Sequence, residues 1–165
     1  MINKIKSNIY QLYFKQFGST VYLIQLKQEN KQKNILIDTS SKENKEELIK
    51  DLKQLKINPK NIDILILTHE HWDHNSNIQL FSKASLYKKD NINKLPIKDF
   101  QIFKVPGHTK DSIAILYNEV LFSGDTLFHN GIGRTDFPES MPNKMQQSLE
   151  TLKTLNYKIL CPGHI

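Results

Sequence analysis

Ile62-Asp63-Ile64-Leu65-Ile66-Leu67-Thr68-His69-Glu70-His71-Trp72-Asp73-His74 decides how this chain is read. Its first half is an apolar run rich in Ile and Leu, the pattern of a fully buried strand. Its second half sets imidazoles and a carboxylate where that strand leaves the sheet. On a helix His69 and His71 would lie about 200° apart around the axis and could not share one ion, so the turn is expected to be non-helical there. The helical protease motif H-E-x-x-H needs a histidine at position 73, where Asp73 stands instead. What remains is H-x-H-x-D-H. Imidazole nitrogens with a carboxylate suit zinc, iron or manganese ahead of calcium or magnesium, which prefer all-oxygen shells.

One such string could be a surface histidine patch, but ligand types recur further on. Val105-Pro106-Gly107-His108-Thr109, Phe122-Ser123-Gly124-Asp125-Thr126 and Cys161-Pro162-Gly163-His164 each follow a short apolar run and bring one ligand type to its end. Five of the six histidines fall in this set, and only His129 lies outside it. A closed metal site needs such repetition.

At 165 residues the chain is read as one domain, 1–165, large enough for a core without disulfides. Cys161 is the only cysteine, so there is no disulfide framework and a reducing, cytoplasmic setting is expected. Its plain role is a small buried hydrophobe, since no charged neighbour is placed to lower its pKa. Residues 1–6 are basic, but no long apolar stretch follows them and no later run approaches membrane-spanning length. We therefore expect no membrane partner and no processing. The net charge of +6 invites a nucleic-acid reading. The basic residues, however, are almost all lysines scattered among Asn and Gln, without an aromatic-basic stripe or a nucleic-acid module, so solvated surface is favoured. Arg134, the only arginine, lies in a glycine-bounded loop and is a candidate for bidentate recognition of a carboxylate, a substrate's or that of Asp136.

In chain order, residues 9–14 and 20–26 read as strands around the turn Phe17-Gly18-Ser19. A polar stretch, 27–34, reads as a loop before the strand 35–39. Residues 42–56 carry Leu48, Ile49, Leu52 and Leu55 at helical spacing, with Pro59 beyond the stop. After the ligand turn a short helix is expected through Leu80-Phe81. Trp72, caught between ligands, either walls the substrate mouth or packs under the turn, and packing is the reading favoured here. Residues 84–87 form another strand, and 90–100 a polar insertion around Pro96 with little pattern. Strands at 101–105, 112–117 and 120–123 follow, the last two as a hairpin around Asn118-Glu119. A helix over 143–155 carries Met145, Leu149, Leu152 and Leu155, and the final strand spans 157–161.

H-x-H-x-D-H followed by single His, Asp and His at strand ends resembles the metallo-β-lactamase fold superfamily of metallohydrolases over nearly the whole chain. The stretch Gly124-Asp125-Thr126-Leu127-Phe128-His129-Asn130-Gly131-Ile132-Gly133-Arg134-Thr135-Asp136-Phe137-Pro138 looks like the glyoxalase II branch, which also includes persulfide dioxygenases. The resemblance implies an α+β four-layer αββα sandwich, two mixed β-sheets flanked by helices. It assigns His69, His71 and His108 to one metal ion, Asp73, His74 and His164 to a second, and Asp125 to both. Two divalent ions are thus expected, zinc ahead of iron or manganese. It also implies that Asp38 supports the metal centre from behind the ligands; the alternative from the residues alone is capping of the next helix, which Ser40 or Ser41 could do as well. The family commonly has Gly after this Asp, where Thr39-Ser40 stand here. The chain stops at Gly163-His164-Ile165, short of the segment that usually follows this His and of the helical domain that grips glutathione in glyoxalase II. A C-terminally short version is therefore expected, in which a homo-oligomer could supply the missing cover.

A water shared by two dications loses a proton near neutral pH and can attack a polarised carbonyl, with Asp73 as the residue orienting it. Once these ligands are committed, His129 is the only spare histidine to protonate a leaving group. A thiolate, whose conjugate acid has a pKa of about 8.5, leaves without help. The expected activity is hydrolysis of a small-molecule thioester. The alternatives are a mononuclear iron persulfide dioxygenase, a phosphodiesterase acting on RNA, and a metal-stabilised module without catalysis.

Overall fold

The computed structural model describes residues 1–28 and 31–165 and groups the chain into two compact units, Met1–Tyr87 and Lys88–Ile165.

The first unit is built on a six-stranded sheet in the order β1-β2-β3-β4-β5-β6, with β1 Ile2–Lys6, β2 Ile9–Leu12, β3 Val21–Gln28, β4 Lys31–Ile37, β5 Ile64–Ile66 and β6 Ser85–Tyr87. β1 to β4 are antiparallel neighbours, while β4, β5 and β6 run parallel. Parallel neighbours need a crossover, and α1, Lys45–Gln54, lies in the one between β4 and β5. Its buried Leu48 and Leu52 meet Leu12, Val21, Leu23, Leu36, Ile62 and Leu65 in one apolar cluster. The alternate residues Ile24, Ile35, Ile37, Ile64 and Ile66 are buried as well, which explains why β4 and β5 read as unbroken apolar runs.

The second unit holds a four-stranded sheet in the order β12-β9-β8-β7, with β7 Gln101–Lys104, β8 Ile113–Tyr117, β9 Val120–Gly124 and β12 Ile159–Pro162. A two-stranded ribbon, β10 Leu127–Phe128 and β11 Gly131–Ile132, follows β9, and α3 spans Pro142–Lys153. β12 pairs parallel with β9 in an otherwise antiparallel sheet. Val105, Ala114, Leu116, Leu121 and Leu152 form the core of this unit. Asn118 and Glu119 both take positive φ, 47° and 64°, the backbone of a tight hairpin turn between β8 and β9.

Several expectations change here. Residues 27, 28 and 31–34, expected as loop, are strand: β3 runs to Gln28 and β4 starts at Lys31, while residues 29 and 30 lie outside the described residues. Backbone pairing holds these polar ends, with Lys33 opposite Leu26, Gln32 opposite Lys27 and Lys31 opposite Gln28, so hydropathy alone missed them. The basic segment 1–6 contributes β1, paired with β2. The stretch 90–100 buries Ile92, Ile97 and Phe100, three anchors too widely spaced to register as a periodic pattern. Cys161 is buried, as expected.

Candidate metal centre

In the first unit the ligand turn leaves β5 as Thr68-His69-Glu70-His71 in non-helical backbone. A short helix, α2 Trp72–Asn75, then puts Asp73 and His74 on one turn. The imidazoles cluster: the His69 ring centroid lies 4.7 Å from that of His71 and 4.0 Å from that of His74. His69, Asp73 and His74 are buried, and His71 is half-buried.

Asp38 stands behind them, at the exit of β4. Its carboxylate accepts the Thr68 amide and the Thr68 hydroxyl, both at 2.8 Å, and lies 2.8 Å from His74 Nδ1. A carboxylate only accepts, so His74 donates through Nδ1. The single hydroxyl proton of Thr68 is spent on Asp38, so its contact with His69 Nδ1, at 3.1 Å, must be donated by His69. In the neutral rings both Nε2 atoms therefore keep their lone pairs, the form in which imidazole binds a metal. No side chain caps the short helical turn Lys42–Asn44, so the capping alternative for Asp38 is not what the structure adopts.

The non-glycine residues after β4 carry strain: Asp38 has φ 60° and Ser40 φ 62°. Buried polar groups hold them there. Thr39 donates its amide and hydroxyl to His74 O at 2.7 and 2.9 Å, and Asn77 Nδ2 reaches the carbonyls of Thr39 and Ser41 at 2.8 and 2.7 Å. Thus Thr39-Ser40 can occupy a place where a more permissive residue would be unstrained.

In the second unit His108 follows β7, Asp125 follows β9 and His164 follows β12. Asp125 Oδ2 lies 3.5 Å from His108 Nε2 and 3.3 Å from His164 Nε2. His108 Nδ1 donates to the backbone carbonyl of Arg134 at 2.7 Å. In the neutral ring the nitrogen facing Asp125 is then a lone pair set against a carboxylate, an arrangement that a nearby cation relieves. Gly163 N donates to Gly124 O at 2.8 Å, which aligns the His164 and Asp125 segments. The chemistry of both donor sets thus fits divalent transition metals.

The Arg134 guanidinium grips Asp136 through Nε and Nη2 at 2.9 and 2.8 Å, so the carboxylate it recognises here is internal. That hydrogen bond holds the Asp136 carboxyl below the usual range and lifts the arginine above its own. The guanidinium also lies over the Phe137 ring, 4.6 Å from its centroid, and Phe137 meets the His108 ring edge-on at 5.7 Å. Trp72 does not pack under the turn: at the first position of α2 it is 58% exposed, and its ring centroid lies 5.9 Å from that of Phe17. His129 is exposed. Thr68, Thr39 and Asn77 were not singled out as supports by sequence reasoning. For Thr68 the signal was there, a hydroxyl at a buried strand end immediately before the first ligand.

Among the described residues no helix is long and apolar enough to cross a membrane. The sequence model of the metallo-beta-lactamase superfamily matches residues 15–94 and 89–164. A protein of Methanocaldococcus jannaschii described as a probable metallo-hydrolase is 34% identical over 143 residues, covering 79% of this chain and 70% of that one. The hydroxyacylglutathione hydrolase of Shewanella loihica is 35% identical over 126 residues, covering 62% of this chain and 48% of its own. The chain thus spans about half the length of that hydrolase. Among solved structures, ETHE1 from Myxococcus xanthus superposes with a TM-score of 0.74 at 26% identity, covering 95% of this chain and 75% of that one. These likenesses show the α+β fold of mixed sheets and helices expected from the sequence.

Proposed function

The chain belongs to the metallo-beta-lactamase superfamily, and as the reaction of this metallo-hydrolase we propose the hydrolysis of a small-molecule thioester. The observation that carries the reading is the donor set itself, imidazoles whose Nδ1 atoms are engaged by Asp38, Thr68 and the Arg134 carbonyl. We take both units as one catalytic domain, because the family match runs through each. In this reading His69, His71 and His108 hold one divalent ion, Asp73, His74 and His164 a second, and Asp125 serves both. Zinc is the first choice, with iron or manganese as alternatives. Such ions supply a deprotonated water at neutral pH and polarise a carbonyl.

The rest falls to side chains of this chain. Asp73 orients the attacking water through its carboxylate, while its backbone carbonyl is fixed by the Ser19 amide at 2.9 Å. Asp38 and Thr68 keep the rings of His74 and His69 from rotating. A thiolate leaves unaided, so no general acid is required. The relatives named hydroxyacylglutathione hydrolases support a thioester substrate class.

The test is metal content of protein purified without added metal, followed by turnover of simple acyl-thiols. About two metal ions per chain with acyl-thiol hydrolysis is the expected result. Absence of hydrolysis of every acyl-thiol by fully loaded protein overturns it. A second reading is oxygen-dependent oxidation of a persulfide at one iron held by two histidines and one carboxylate, donor types that the ligand set of this chain supplies. It requires about one iron per chain and oxygen uptake with a persulfide.

A further inference from the structure

We propose that Phe17 and Trp72 form a fixed aromatic ledge that seats an apolar substituent of the substrate, so that the enzyme prefers acyl-thiols carrying a hydrocarbon or aryl group. This inference rests on the thioester reading and names its substrate class.

Phe17 is 68% exposed and Trp72 58%, and their ring centroids lie 5.9 Å apart at a tilt of 42°. Aromatic faces of this size are normally turned into a core, and a tilted pair held in water marks a contact surface. Trp72 stands in sequence between His71 and Asp73, so the ledge borders the ligand turn of its own unit.

The exposure of Phe17 is built in. Its carbonyl accepts from Ser41 Oγ at 2.5 Å and from Asn44 Nδ2 at 3.3 Å, and the Gln16 carbonyl takes Asn44 Nδ2 at 3.1 Å. Ser41 and Asn44 are fully buried. A Cβ on Gly18 would come within 2.6 Å of Ser40 Oγ and 2.7 Å of Asn44 Nδ2, so the backbone is seated tightly on this polar bed. Ser19 N then ties the segment to Asp73 O at 2.9 Å.

Two consequences follow for the occupant. The ledge is preorganised, so binding to it orders little further. The carbonyls of Gln16 and Phe17 are turned inward and consumed, so what the ledge presents is two aromatic faces with the indole N–H as their one side-chain donor. A peptide-like thiol that wants ion pairs and hydrogen bonds gains little there, whereas an alkyl or aryl group gains the area it buries.

Trp72 is the only tryptophan, so its emission reports on this place alone. Zinc-loaded protein is titrated with two uncleavable thioethers, S-benzyl- and S-methyl-N-acetylcysteamine. We expect a saturable emission change with the benzyl compound, at least about fivefold tighter than with the methyl one, and a loss of about three- to tenfold in benzyl affinity in Phe17→Ser. Equal affinity for both thioethers, or none lost in Phe17→Ser, overturns the proposal. Since both residues are exposed, thermal unfolding of the variants should match the parent. In turnover, the ratio of kcat/KM for a benzoyl thioester to that for an acetyl thioester should fall in Phe17→Ser and Trp72→Ser, through KM. If no thioester is cut, the hydrolase reading fails while the titration still decides the ledge.

Discussion

Thr68 meets the Asp38 carboxylate twice, through its backbone amide and through its hydroxyl, each at 2.8 Å. The pair joins the ends of two parallel strands, since Asp38 follows β4 and Thr68 follows β5. Through it the sheet dictates which nitrogen of His69 and of His74 carries the proton.

Asp38→Asn tests that dictation. Asparagine tolerates the φ of 60° at this position, so the backbone is not disturbed. Its amide nitrogen, however, cannot accept from both Thr68 Oγ1 and His74 Nδ1. We expect the proton on His74 to move to Nε2 and metal affinity to fall about 10- to 100-fold, measured by competition with a chelator. Unchanged affinity would mean that Asp38 serves the fold alone.

Gly133→Ala should damage the second ligand set. A Cβ there would lie 1.8 Å from the Asp125 carbonyl oxygen and 3.0 Å from His108 Nδ1, and backbone cannot step aside as a side-chain tip can. The expected cost is about 3 kcal/mol or more in denaturant unfolding, accompanied by weaker metal binding. A variant with parental stability would show that the loop has another place to go.

Arg134 gives a single arginine Nε–H signal for nuclear magnetic resonance. The hydrogen bond from Arg134 lowers the Asp136 pKa, so the pair's contribution is present above the ordinary aspartate range and is lost as pH falls through the lowered folded value. The Arg134 shift is upward, so its contribution is full at every pH below the arginine range. The Nε–H resonance should therefore hold its position as pH falls to the ordinary aspartate range and move only below it. Asp136→Asn should shift it at neutral pH with little effect on the melting temperature, since both groups are exposed.

Glu119→Gly should stabilise the protein slightly. The left-handed backbone at Glu119, φ 64°, costs a non-glycine residue about 1 kcal/mol. The exposed ion pair with Lys158, at 2.8 Å, offsets roughly half of that. The net gain of about 0.5 kcal/mol should raise the melting temperature by about 1–2 °C. A lower melting temperature would make the ion pair the larger of the two effects.

The parts of this fold that were legible in the sequence were those in which one local pattern sufficed. The buried run before His69, the spacing of Leu48 and Leu52, and the Asn118-Glu119 turn each carry their own signal. Polar ladder ends such as Lys31 and Gln32 do not, because they pair with the equally polar Gln28 and Lys27 and backbone pairing alone holds them. At the site, donor types could be read from residue identity, and the non-helical H-x-H followed from helix geometry. The supports could not. Nothing in the spacing of Thr39 and Asn77 announces that they meet, and the place of Trp72 between two ligands did not say whether it would be buried or exposed. The partner of Arg134 was one of two options until the side chains were placed.

β4 is paired with β3 over seven residues and with β5 over three, and Ile35, Leu36 and Ile37 are wholly buried. The Asp38 amide donates to Ile66 O at 2.9 Å, just past the last of these pairs. Amides so placed exchange with solvent hydrogen only when the sheet itself opens. In deuterated water the amide of Asp38, whose carboxylate aligns His69 and His74, would thus be among the last to exchange, later than those of the surface turns of the same unit.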